Sequence, residues 1–169
     1  SAEPGRWRTA RTPYLKEPMD KFTDPLIESI SLCFGAQIGK TEAELNMIGY
    51  ALHQTASPVM MVYPTDTIAK FASDKRVQPM IRSVEPLADM YDEGSKLLEL
   101  DFVNGNYMVL VGANSPSSLS SRSIKYLFFD EIDKYPAFSG KEANPIKLAE
   151  ERTKTFVDKK IVRVSTPTI

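Results

Sequence analysis

The sequence is poor in the residues that staple a chain, ligate a metal or anchor it in a bilayer. Of 169 residues, one is cysteine, one histidine and one tryptophan. Cys33 alone cannot form an intrachain disulfide, which agrees with a reducing interior. His53 alone excludes a histidine-rich metal site, and its place near a helix end reads as structural. No apolar run approaches the roughly 20 residues of a membrane span, and no signal-peptide pattern opens at Ser1. Excess charge of one sign is lacking too. The formal net charge is -1, so the domain as a whole is not a basic nucleic-acid footprint.

What remains is an ordinary globular mixture, 42% hydrophobic and 25% charged, at a length that suits one domain with a sizeable core. The charge is unevenly spread. Residues 1–16 hold Arg6, Arg8, Arg11 and Lys16 against Glu3. This run is open to three readings: a solvated face, a nucleic-acid surface, or contacts to a bound nucleotide.

The rest of the chain is organised around Cys33-Phe34-Gly35-Ala36-Gln37-Ile38-Gly39-Lys40-Thr41-Glu42. A phosphate-binding loop has a Gly, four residues and then Gly-Lys-Ser/Thr. Gly39, Lys40 and Thr41 fit its end. Phe34 occupies the place of the first Gly and Gly35 comes one position late, so the form is deviant. The physics survives: small residues at 35, 36 and 39 let successive N–H groups wrap an anion. Thr41 opens a helix whose positive end favours phosphate. Lys40 reaches the β- and γ-phosphates of such a ligand, and the Thr41 hydroxyl suits magnesium. The competing reading is a Gly-bearing strand-to-helix turn beside a surface lysine.

Alternating apolar bursts and amphipathic stretches predict an α/β fold with a mostly parallel sheet flanked by helices. Strands are expected over 27–34, 58–64, 124–129 and 160–164, the first of them buried. A hairpin at Asn104-Gly105 joins residues 97–102 to 107–111. Helices are expected over 14–22, opened by Pro13, over 40–53, from Thr65 or Asp66 to about Met80, and over 145–155. Residues 83–95 read as an acidic connection outside the core. Residues 112–122 read as a small, polar segment, either a mobile loop near a nucleotide or a surface turn. Trp7 and Tyr14 either pack an adenine ring or cover the edge of the sheet.

Tyr126-Leu127-Phe128-Phe129-Asp130-Glu131 is an apolar strand ending in two carboxylates. Two charges beside a buried sheet edge need a reason to be there. In a nucleotide hydrolase, Asp130 holds the magnesium shell through water and Glu131 polarises the attacking water. The pair favours a hydrolase over a small-molecule kinase, which has little use for a water-activating base. Asp133 reads as a supporting or surface group that Lys134 neutralises. Arg122 is the leading sensor of the γ-phosphate, with Arg76, Arg82, Arg152 or an arginine of a neighbouring subunit as rivals. Ser165-Thr166-Pro167-Thr168 leaves the last strand near the same edge. It serves either to pass hydrolysis onward or simply to end the strand. The chain stops there, so a continuation beyond it is expected.

These segments, in this order, resemble the ATPase domain of the large terminase subunit of tailed bacteriophages, the lambda-like GpA family. The pieces are Trp7 to Leu15, Gly35 to Glu42, Val111 to Pro116 with Ser121-Arg122, Phe129 to Asp133, and Val164 to Thr168. The resemblance covers almost all of the chain. It implies a helicase-like P-loop NTPase fold of the ASCE type over residues 1–169, with 1–26 as a lead-in segment and the family's carboxyl-terminal nuclease absent. By this likeness the cofactors are ATP and Mg2+. Gly35, Ala36, Gln37, Ile38, Gly39, Lys40, Thr41 and Glu42 bind the nucleotide, with Tyr14 beside it. Thr41 and Asp130 hold the metal, Glu131 is the base, and Ser165, Thr166 and Pro167 couple hydrolysis to movement.

The implied function is ATP-driven translocation of double-stranded viral DNA into a procapsid. The implied partners are that DNA, a small terminase subunit, the portal protein and further copies of the chain in a ring, with no membrane. The place is the host cytoplasm during virion assembly. A helicase-like nucleic-acid-dependent ATPase shares every catalytic residue named. An assembly module that binds nucleotide without turnover is the reading from another class.

Overall fold

The computed structural model describes residues 7–120, 122–137 and 144–167. Glu3, Arg6, Ser121, Thr168 and the far end of the expected 136–141 loop lie outside the described residues. After a 3-10 turn at Pro13–Leu15, the elements are α1 (Lys16–Phe22), β1 (Ser29–Cys33), α2 (Lys40–Gln54), β2 (Val59–Tyr63) and α3 (Asp66–Ala72). Then come α4 (Gln78–Ser83), α5 (Glu85–Ala88), β3 (Glu99–Asp101), β4 (Tyr107–Gly112), α6 (Pro116–Leu119), β5 (Tyr126–Phe129), α7 (Pro145–Glu151) and β6 (Lys160–Ser165).

The six strands form one sheet in the order β1-β6-β5-β2-β4-β3. All pairings are parallel except the β3–β4 hairpin, where Gly105 takes the left-handed φ of 81° that the turn needs. Parallel strands are buried on both faces, which explains the unbroken apolar runs of β2 and β5. One face carries α1, α2 and the α3-to-α5 region over Leu32, Met61, Tyr63 and Phe128. The other carries Leu119 of α6 and Ala149 of α7 over Met60, Val62, Leu127 and Phe129. The result is a three-layer α/β/α domain. β6 lies between β1 and β5, so one extra strand separates the loop-bearing strand from the carboxylate-bearing strand. That is the ASCE arrangement.

Two expectations need correction. β1 is not buried: at the edge of the sheet it pairs only with β6, and only Leu32 of its five residues is buried. Its serines therefore face water. The 83–95 region is not merely a connection. Leu87 is buried against Gly49 of α2, and Tyr91 packs on Phe102. The helix expected from Asp66 to about Met80 is continuous, with a π-turn at Ser73–Val77 joining α3 to α4. Among the described residues no helix is long and apolar enough to cross a membrane.

Candidate functional site: a phosphate loop facing two carboxylates

In a parallel sheet every strand ends on the same edge, and loops leaving that edge build the site. Here the edge gathers Phe34 after β1, Thr65 after β2, Ala113 after β4, Asp130 after β5 and Thr166 after β6. Because β6 and β5 follow β1 in the sheet, the Phe34–Gly39 turn, the Ser165-Thr166 tail and the Asp130-Glu131 pair are neighbours. Residues about ninety apart in sequence meet there.

The loop is built for a close-approaching anion. Gln37 and Gly39 adopt left-handed backbone, with φ of 60° and 90°. A Cβ at Gly35 would meet nothing within 4 Å, so the backbone there is open to a ligand. Behind the loop, a Cβ at Gly39 would stand 3.2 Å from Leu15, so the lead-in segment packs against its back. Tyr14 donates from its hydroxyl to the Ile38 carbonyl at 2.8 Å and meets Phe34 edge-on. Its observed role is to brace the loop. Trp7 instead donates to the Thr9 hydroxyl. α2 runs for 15 residues from Gly39 and aims its N-terminus at the loop, with Glu42 in its first turn.

Lys40 lies at the centre. Its ammonium donates to the Phe34 carbonyl at 3.0 Å, the Ser165 carbonyl at 3.3 Å and the Thr166 hydroxyl. Asp133 ties the same tail down: it accepts from the Ser165 hydroxyl at 3.0 Å and the Thr166 N–H at 3.3 Å. Burial raises the Asp133 pKa, but these hydrogen bonds outweigh it and hold the carboxyl below its usual range. The Lys134 charge acts on Asp133, as the sequence suggested, but its direct partner is another carboxylate. Lys134 pairs with Glu131 Oε1 at 2.7 Å.

Asp130 is nearly buried at the end of β5. Burial, with the adjacent Glu131 charge, pushes its pKa up to about 6. Glu131 occupies left-handed backbone at φ 52°, a conformation a non-glycine residue holds only when its surroundings impose it. Sequence reasoning missed Glu44. This residue of α2 is completely buried, and neither carboxylate oxygen has a hydrogen-bond partner. The signal was a charged residue inside the stripe of Ala43, Leu45 and Ile48. Of the two helix caps the sequence offered, Thr65 takes the place, its hydroxyl accepting from the Ile68 N–H at 3.3 Å, and Asp66 has another task. It accepts from the Gly112 N–H at 2.9 Å and from the Ser115 hydroxyl, fixing the loop after β4.

Arg122 is not brought to this cluster. It pairs with Glu99 of β3 at 2.6 Å and lies over the Tyr107 ring at the opposite end of β4. β4 and β1 are four strands apart in the sheet, roughly 20 Å at the usual spacing. Of the rival arginines, Arg82 pairs with Glu93 and Arg152 donates to the Ser120 carbonyl. Arg76, on the π-turn, is the one whose charge acts on Asp130 and Tyr63.

The donor set suits a nucleotide carrying a divalent cation. Asp130 is a carboxylate in an electronegative, buried position. Among the described residues no three His, Cys, Asp or Glu side chains converge to cage a metal.

Fold and site together define a P-loop nucleotide-binding domain of the ASCE class. The chain matches, over residues 1–169, the family described as phage terminase large subunit gpA, ATPase domain, and it belongs to that family. It is 25% identical over 175 residues to the terminase large subunit of Enterobacteria phage P21, covering 100% of this chain and 27% of that protein. It therefore spans about a quarter of the length of that relative. The large terminase of bacteriophage HK97 has the same fold, with a TM-score of 0.75 at 13% identity, over 96% of this chain and 34% of that one. The large terminase of a thermophilic bacteriophage, in complex with ATP-γ-S, superposes with a TM-score of 0.58 at 16% identity, over 89% and 37% of the two chains.

Proposed function

We propose that residues 1–169 form the motor domain of a DNA-packaging machine, hydrolysing ATP to move double-stranded viral DNA into a procapsid. The observation that carries this reading is the meeting of Lys40, the Ser165-Thr166 tail and the Asp130-Glu131 pair at one sheet edge. In this proposal the Gly35–Thr41 backbone and Lys40 hold the phosphates, Glu42 stands in the first helical turn, and Tyr14 borders the base. Thr41 and Asp130 would hold magnesium, which would neutralise phosphate charge. Glu131 takes the proton of the water that attacks the γ-phosphorus, and the bond to the ADP oxygen breaks. Inorganic phosphate leaves.

Lys40 changes partners in this account. It binds the tail through Thr166 when phosphate is absent, and γ-phosphate competes for the same ammonium. Ser165, Thr166 and Pro167 thereby relay the state of the nucleotide. Arg122, far from its own loop, serves the site of an adjacent copy in a ring. The portal protein and a small terminase subunit are the further partners proposed, in the host cytoplasm during assembly. The test is ATP turnover with and without duplex DNA, alongside a strand-separation assay. Stimulation without unwinding supports packaging; ATP-dependent unwinding would mark a helicase.

A further inference from the structure

We propose that Glu44 is a positioning residue of this site: the buried group that accepts hydrogen bonds from the water shell of a divalent cation held by Thr41 and Asp130. The inference rests on the proposed nucleotide site and deepens it.

Glu44 follows Lys40 by four residues and Thr41 by three, so all three share one face of α2. That face is turned to the sheet, where Met47, Ile48 and Ala51 of the same helix are buried. Toward the sheet's end Glu44 lies within electrostatic reach of Tyr63 and Asp130. Both lie on the α2 side of the sheet, since Tyr63 alternates with Val62 and Asp130 with Phe129, which are buried on the opposite face. The charges that act on Glu44 are those of Asp130, Lys40 and Glu131. It is a carboxyl at the foot of the phosphate site, beneath the two residues assigned to the metal.

Two nearby donors are committed elsewhere. Lys40 spends its ammonium on Phe34, Ser165 and Thr166. The Tyr135 hydroxyl donates to the Val62 carbonyl at 2.6 Å. Both Glu44 oxygens remain without a partner in a fully buried position. An apolar residue of equal length would satisfy packing there without that penalty. Burial first, with Asp130 adding to it, holds the carboxyl well above its usual range. The group is short of hydrogen bonds and feels two carboxylates, Asp130 and Glu131, against the one cation Lys40; a hydrated cation answers both deficits together. Direct ligation is not required, since magnesium keeps several of its waters.

The experiment is Mn2+ binding, read by electron paramagnetic resonance, to the full chain with ADP present. ADP binding in EDTA is measured in parallel. Glu44→Met is expected to weaken Mn2+ binding about tenfold or more, while Glu44→Gln, whose amide oxygen still accepts, stays within about threefold of the parent. Metal-free ADP binding is unchanged in both. A folded Glu44→Met protein that binds Mn2+ like the parent overturns the inference. If that variant does not fold, Glu44→Asp decides: drawing the carboxyl back by one methylene is expected to weaken Mn2+ binding, and unchanged affinity overturns the inference. Asp130→Asn separates the two levels. If it leaves Mn2+ binding intact, the metal site itself is wrong, and Glu44 falls with it. If it abolishes binding while Glu44→Met does not, Glu44 alone is wrong.

Discussion

Lys40 and Thr166, 126 residues apart in sequence, are joined by a hydrogen bond from the lysine ammonium to the threonine hydroxyl. The phosphate loop and the last described segment of the chain thus share one donor. Whatever draws the ammonium toward a phosphate also releases the tail, apart from its anchor on Asp133.

Thr166→Val tests that link, since it keeps the side-chain shape and removes the hydroxyl. Nucleotide affinity is expected to change little, because Lys40 is freed rather than lost. DNA stimulation of turnover is expected to fall several-fold. Equal loss of basal and stimulated rates would show the hydroxyl to be part of the chemistry rather than of the coupling.

Asp130 imposes a pH dependence on stability. Its folded pKa of about 6 exceeds the unfolded value of about 3.9, so the folded state holds a proton that the unfolded state gives up. Stability from this group is therefore full below about pH 4 and lost as pH rises through about 6. In nucleotide-free protein, Asp130→Asn should match the parent at low pH and exceed it by at most about 3 kcal/mol above pH 7. Urea unfolding at a series of pH values reads this directly. A stability gain that does not grow with pH would contradict the assignment.

Arg122 acts between subunits or not at all, given its distance from the loop of its own chain. Arg122→Ala should bind nucleotide normally yet lose at least about tenfold of the assembly's turnover. Mixing it with Glu131→Gln, which supplies an intact arginine to an intact base, should restore part of the rate. No restoration would remove the inter-subunit role.

Gly112→Ala is expected to destabilise by about 2 kcal/mol. A Cβ there would collide with the Asp66 backbone nitrogen and, at 2.6 Å, with the Thr65 carbonyl carbon. The same substitution breaks the Asp66 clamp on the 112–115 loop. Thermal unfolding measures it, and an unchanged midpoint would show that the loop moves aside at no cost.

The sequence carried most of this architecture because its signals are local. The Asn104-Gly105 turn, the apolar runs of β2 and β5, and the Gly39-Lys40-Thr41 step from strand to helix each state their conformation within a few residues. Strand order is not local. Ile27 to Phe34 looked buried because nothing in its composition shows that β1 has a neighbour on one side only. Leu87 and Tyr91 were hidden among acidic residues, whose charges face water while two side chains reach inward. Within the site, the loop and the carboxylate pair were legible as motifs. The partners that set their state were not. Lys134 chose Glu131 over Asp133, Tyr14 took the Ile38 carbonyl, and Glu44 turned inward, all through tertiary geometry. Arg122 stood close to Asp130 in sequence, but β5 carries the chain from one end of the sheet to the other and separates them.

The most direct test of the account is ATP hydrolysis and ATP binding by Glu131→Gln beside the parent chain, each with duplex DNA. The substitution keeps the size of the side chain and removes its basicity. Binding is expected to persist while turnover falls at least about a hundredfold. Turnover comparable to the parent would contradict the assignment of Glu131 as the base, and with it the hydrolytic site built at this sheet edge.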